Sequence, residues 1–200
     1  MSLIMTKPDE HEHSHNAPLL AGYAETYVKL AKHRVLFISE DVTNELAVQL
    51  SAMLLYFDNE DPEAMIEMYI NSPGGAVSGL FQIYDVMQMI SAPIRTICAG
   101  SAFSAAAVML AAGTKGELCA FNNSKIMIHG IQCLFPLPGN DITSSKNYHN
   151  FLLENNDNII KILAHHTGQT VEKVKQDCKE DIWLSPKQAL EYGMIDRIIS

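Results

Sequence analysis

Basic residues are scarce in this chain. Its 200 residues hold 14 Lys and Arg against 23 Asp and Glu, a formal net charge of −9 with neutral histidines. A field of that sign repels phosphate backbones and anionic lipid, so neither nucleic-acid binding nor a membrane-surface role is expected. Cysteine is scarce too: Cys98, Cys119, Cys133 and Cys178 are widely spaced, with no C-x-x-C pair and no histidine at metal-ligand spacing. That pattern makes neither a disulfide framework nor a zinc site and reads as reduced thiols in a cytoplasmic protein. Long runs of Leu and Ile are missing. The most membrane-like stretch, residues 97–113, is built from Ala, Ser and Gly, which argues against a bilayer span. No basic-then-apolar leader opens the sequence. Fixed-period repeats and low-complexity linkers are absent as well, so one folding unit is expected.

What is present suits a globular domain. Apolar residues make up 48% and charged residues 18% of the chain. A chain this long buries roughly 70% of the surface its unfolded form exposes, and needs no metal or disulfide to hold it. Residues 1–22 are polar and without period, and read as a flexible N-terminal arm. Within it His11, His13 and His15 alternate, a polar tail or at most a site of adventitious metal capture. Residues 23–200 form the expected domain.

Strand and helix signals alternate along that domain. Arg34–Ser39 is short, apolar and β-branched, and Met65–Ile70 is a second such run. Asp41 to Thr43 offer capping residues before a helix to about Tyr56. Val77, Leu80, Phe81, Tyr84 and Met87 recur at three- and four-residue steps and mark a helix face that ends before Pro93. A strand over Ile94–Cys98, an Ala-rich helix over Ser104–Ala112, and strands over Glu117–Phe121 and Lys125–Ile128 follow. Pro136 and Pro138 mark a loop, and a long helix runs from Asp141 to about His166. Ser185-Pro-Lys-Gln188 is a capping box with Pro at the first helical position, Gly193 closes that helix, and a strand over Ile195–Ile199 ends the chain. The alternation predicts an α/β class.

Two glycine-containing breaks follow apolar strands and open helices. Asn71-Ser-Pro-Gly-Gly75 is either a tight turn or a place where amides converge, and it is not a phosphate loop because no Lys-Ser/Thr follows. In Gly100-Ser-Ala-Phe-Ser104-Ala-Ala, Ser104 is either a helix cap or a nucleophile beside unpaired amides. Its A-x-S-x-A setting lacks the glycines of an α/β-hydrolase elbow, which counts against that fold. A nucleophilic serine needs a base. His129 stands at the end of an apolar strand and before Gly130, where a rigid element holds an imidazole and leaves it accessible. Spacing leaves the orienting acid open among Asp141, Asp157, Asp177 and Asp181.

These motifs resemble the Clp protease proteolytic-subunit family from about Glu25 to Ile199. The match is carried by Tyr69-Ile-Asn-Ser-Pro-Gly-Gly75, Gly100-x-Ala-x-Ser104, Met127-Ile-His129, His166-Thr-Gly-Gln169, Leu184-Ser185 and Ala189-x-Glu-Tyr-Gly193-x-x-Asp196. The resemblance implies a ClpP/crotonase-like α/β fold of repeated strand-strand-helix units, with a protruding helical handle over about residues 130–167. It implies a serine endopeptidase with Ser104 as nucleophile, His129 as base and Asp181 as acid, and the amides of Gly75 and Ala105 as oxyanion hole. It needs no cofactor or metal. Its partners would be further copies or paralogues in two heptameric rings, an AAA+ ATPase that feeds the compartment, and unfolded polypeptide. A catalytically silent ring subunit is the alternative. An enzyme of coenzyme A thioesters, which would reuse the paired amides without a Ser/His pair, is a more distant one.

Four departures from the family pattern bear on this. Glu67 stands where an aromatic normally lines the ATPase-docking cleft, and Glu180 where an arginine pairs across the rings. Phe103 occupies a small-residue position beside the nucleophile. Residues 130–139 replace a Gly-rich strand. A divergent paralogue is the form this implies.

Overall fold

The computed structural model describes residues 17–132 and 142–200. Helix α1 (Ala17–Ala31) leads into strand β1 (Val35–Ile38), helix α2 (Asn44–Glu60) and strand β2 (Ile66–Ser72). Helix α3 (Val77–Met89), strand β3 (Ile94–Phe103), helix α4 (Ala105–Ala111), and strands β4 (Leu118–Phe121) and β5 (Lys125–Ile128) follow. Helices α5 (Ile142–Thr167) and α6 (Val171–Asp177), strand β6 (Ile182–Leu184), helix α7 (Pro186–Tyr192) and strand β7 (Arg197–Ile199) complete the chain. The class is α/β, as the alternation predicts.

Strands β1-β2-β3-β4-β7 pair in that order, all parallel. Strand β3 is long enough to serve two partners. Its first half pairs with β4 through Thr96↔Leu118, and its second half with β5 through Ala102↔Ile126. Strand β6 then adds to β5 antiparallel, with Ile128 opposite Ile182. This branching turns the end of β3 away from the main sheet and toward β5, and the candidate residues Ser104 and His129 sit at that bend.

The core lies between the sheet and its helices. Ile66, Met68 and Ile70 alternate along β2 with no exposed surface, and every residue of α4 is buried. A helix this rich in alanine approaches the sheet closely because its side chains are short. Local chemistry sets the ends. Thr43 Oγ1 accepts the Leu46 N–H at the start of α2, at 3.1 Å. Ser185 and Gln188 form the expected capping box on α7, and Gly193 closes it in a left-handed conformation. Helix α5 is anchored by its C-terminal half through Ile159, Ile160 and Leu163, while Phe151 and Leu153 farther up stay exposed.

Several boundaries differ from the sequence reading. Helix α1 begins at Ala17, inside the stretch assigned to the arm; residues 1–16, with the three alternating histidines, lie outside the described residues. Strand β3 runs on to Phe103 rather than stopping at Cys98, because its second half, which has no β-branched residue, finds a partner in β5. Helix α6 and strand β6 are additional elements. Val174 alone is buried on α6 and Leu184 alone on β6, so neither carries a hydrophobic period. The Pro136–Pro138 loop falls outside the described residues.

Candidate active site

Ser104 is the single residue between the end of β3 and the start of α4, and the turn forces it to φ +54° and ψ −122°. Positive φ in a non-glycine residue costs on the order of 1–3 kcal/mol, and surrounding contacts must hold it. Here they do: the Ser104 N–H donates to the Met127 carbonyl at 2.9 Å, and the Ser104 carbonyl accepts the Ala107 N–H at 3.0 Å. Its hydroxyl does not cap α4. The capping alternative therefore fails at this residue. The side chain turns instead to His129, whose Nε2 lies 2.8 Å from Ser104 Oγ.

His129 follows the last residue of β5, and its side chain is 13% exposed. Because Ile128 pairs with Ile182 across an antiparallel ladder, the next residue on β5 faces the one preceding β6. That register brings Asp181 to the imidazole, with Oδ1 3.3 Å from Nδ1. The distance suits an ion pair, yet Nδ1 is buried and makes no aligned hydrogen bond. Asp181 Oδ1 also accepts from the Gln132 amide at 3.4 Å. Of the other aspartates, Asp157 pairs with Lys175 at 3.3 Å and Asp177 with Lys173 at 2.8 Å, and Asp141 lies outside the described residues. Another histidine is committed elsewhere: His166 Nε2 lies 3.2 Å from the Tyr84 hydroxyl.

The Pro-Gly-Gly turn after β2 abuts the serine. A Cβ on Gly74 (φ +96°) would stand 2.7 Å from Ser104 Cβ and 2.6 Å from the Phe103 carbonyl, so only glycine fits. Around Gly75 the neighbouring groups are spent: Val42 N–H donates to the Gly74 carbonyl and Ala76 N–H to the Val42 carbonyl, both at 2.7 Å. Gly75 and Ala105 line the same cavity as Ser104 and His129, about 440 Å³ in volume. Its far wall is apolar, from Val77, Leu80, Val108, Ile159 and Leu163. Phe103, beside the nucleophile, lines the cavity as well and meets Trp183 edge-on at 5.0 Å.

Sequence reasoning misses the residues that hold these loops. Ser72 is fully buried; its hydroxyl donates to the Glu40 carbonyl at 2.6 Å and accepts the Gly74 N–H at 3.1 Å. Asn71 Oδ1 accepts from both the N–H and the hydroxyl of Ser101, at 3.0 Å each. A polar pair after an apolar strand is a signal for such roles, though its partners lie some thirty positions away.

Among the described residues no cluster of three His, Cys, Asp or Glu is placed to hold a metal, and no helix is long and apolar enough to cross a membrane. Cys98, Cys119 and Cys178 are free and buried, and Cys133 lies outside the described residues. Burial pushes the Cys98 and Cys178 thiols up to about 11, which keeps them protonated and unreactive. On the outer face of the sheet Arg95 bridges Glu67 at 2.8 Å and Glu117 at 2.7 Å, and Arg197 joins Glu117 at 2.6 Å. The hydrogen bond from Arg95 is the main cause holding the Glu117 carboxyl below the usual carboxylate range.

A parallel sheet that delivers a serine and a histidine to one apolar cavity defines an α/β protein with a hydrolase-like site. The family model for Clp protease matches residues 21–200, and the chain belongs to that family. Its fold is accordingly the ClpP/crotonase-like one, and the family is one of peptidases.

Proposed function

We propose that the chain is a serine endopeptidase that cleaves unfolded polypeptide. The observation that carries this reading is the 2.8 Å approach of Ser104 Oγ to His129 Nε2 at the mouth of an apolar cavity. With the ring proton on Nδ1, Ser104 Oγ–H donates to Nε2, and attack on a peptide carbonyl forms the Oγ–C bond as the proton passes to His129. The amides of Gly75 and Ala105 take the oxyanion. His129 returns the proton to the leaving amine as the C–N bond breaks, and water releases the acyl group by the same steps. Asp181 orients the imidazole and balances its transient charge.

The family implies the setting: two heptameric rings in the cytoplasm, the sites inside, and an AAA+ ATPase that threads substrate. The exposed Phe151 and Leu153 on the outer half of α5 suit a handle over about residues 130–167 that docks on another copy or a paralogue. Glu67 supports a different docking chemistry from the usual one, since its carboxylate is bound to Arg95. Of the arm expected over residues 1–22, residues 17–22 belong to helix α1. A silent ring subunit is the second reading, and Glu180 at a ring-pairing position favours it.

A fluorophosphonate separates the two, because only an activated serine reacts. Stoichiometric labelling of the assembled protein, lost in Ser104→Ala, together with peptide turnover at the mass of a double ring, is the expected result. Turnover retained in Ser104→Ala overturns the assignment, and an unlabelled, inert ring favours the silent subunit.

A further inference from the structure

Strand β5 ends at Ile128, so the sheet no longer fixes the backbone that carries His129. Three tethers take over. Gly130 N–H donates to the Cys178 carbonyl after α6 at 2.9 Å. Ile131 N–H donates to Asn156 Oδ1 on α5 at 2.8 Å. The Gln132 carboxamide donates to Asp181 Oδ1 at 3.4 Å, the same oxygen that faces His129 Nδ1. The fit is close: a Cβ on Gly130 would lie 3.1 Å from both Asn156 Oδ1 and the Cys178 carbonyl.

We infer that Asn156 and Gln132 are positioning residues for the hydrolysis proposed above, on which this inference rests. Asn156 supplies the acceptor that holds the chain just past the base. Gln132, two residues from that base's neighbour Gly130, holds the carboxylate on the Nδ1 side of the imidazole. Neither touches Ser104. Both act through His129 and Asp181, so their loss slows the chemical step; Asn156 lies outside the lining of the Ser104 cavity, so its loss leaves KM in place, whereas Gln132 also stands in the cavity wall. Asn156 is the stronger of the two, because its bond is shorter and half-buried, whereas Gln132 is exposed.

The test uses the full chain in its assembled form, with kcat and KM on a fluorogenic peptide and the labelling rate of Ser104 by a fluorophosphonate. Asn156→Leu keeps the volume and removes the acceptor; kcat is expected to fall roughly 10- to 100-fold with KM within about twofold, since an ångström of misplacement costs up to about 10² in rate. Asn156→Asp restores an acceptor oxygen and is expected to recover the rate to within a few-fold, an outcome a merely space-filling role would not give. Gln132→Met is expected to lower kcat a few-fold, and being at an exposed position it carries the test if Asn156→Leu does not assemble. Equal losses in Asn156→Asp and Asn156→Leu, or kcat unchanged in both Asn156→Leu and Gln132→Met, overturn the inference while the labelled wild type leaves the peptidase reading standing. A wild type that neither labels nor hydrolyses overturns both.

Discussion

The two halves of the Ser104–His129–Asp181 arrangement are held in unlike ways. Ser104 and His129 stand at the ends of β3 and β5, adjacent strands joined through Phe103↔Met127 and backed by the wholly buried α4. Asp181 stands before β6, a three-residue strand whose one partner is β5. The Asp181 side chain is 44% exposed against 13% for His129, and the gap between them is 3.3 Å against 2.8 Å on the serine side. Core packing thus fixes the atoms that would make and break bonds. The Asp181 carboxylate is placed at an edge, by register and its hydrogen bond with Gln132.

Four changes break or sharpen that contrast. Ser104→Ala removes the bond-forming atom and is expected to cost on the order of 10⁶ in kcat, read by peptide hydrolysis. Asp181→Asn keeps the volume but reverses the preferred tautomer of His129, for an expected loss of about 10⁴. A loss under tenfold would take the edge carboxylate out of the machinery and leave a Ser–His pair. Gly74→Ala strikes the core half from outside it: with φ +96° and a contact of 2.7 Å to Ser104 Cβ, the elbow must shift. We expect kcat to drop about 10² and the melting temperature to fall, measured on the same preparation.

The smallest effect is a pH response of stability rather than of turnover. Burial, then the charges of His165 and Lys115, push His166 down to about 4 from its ordinary 6.5. The unfolded chain therefore takes up this proton near pH 6.5 while the folded chain resists it until about pH 4. The stability involved is complete above pH 6.5 and is lost as the pH falls from there to about 4. Melting curves across that window should slope less in His166→Asn than in the wild type. Equal slopes would remove His166 from the account.

The same contrast explains what the sequence discloses. Buried, regular features leave a period or a motif: the alternating Ile66, Met68 and Ile70, the alanines of α4, the capping box at Ser185, and the strand-end His129 before Gly130. Edge features do not. Spacing alone leaves four aspartates open as the acid, and only the family resemblance points to Asp181, because β6 buries a single side chain and has no pattern of its own. Strand β3 outruns its apolar segment because β5 supplies partners for Ser101 and Ala102, a tertiary effect that no local propensity contains. Asn156 reaches Ile131 across twenty-five positions, and nothing near it in the chain advertises that bond.

The left-handed backbone at Ser104 bears on the choice between a working and a silent chain. Glycine would occupy that conformation without steric cost, and exchanging it in would relieve roughly 1 kcal/mol or more of local distortion. A subunit that merely filled a place in a ring would thus be sturdier with no side chain there at all. A hydroxyl held in so uncomfortable a posture is what a nucleophile requires, and what a spacer has no use for.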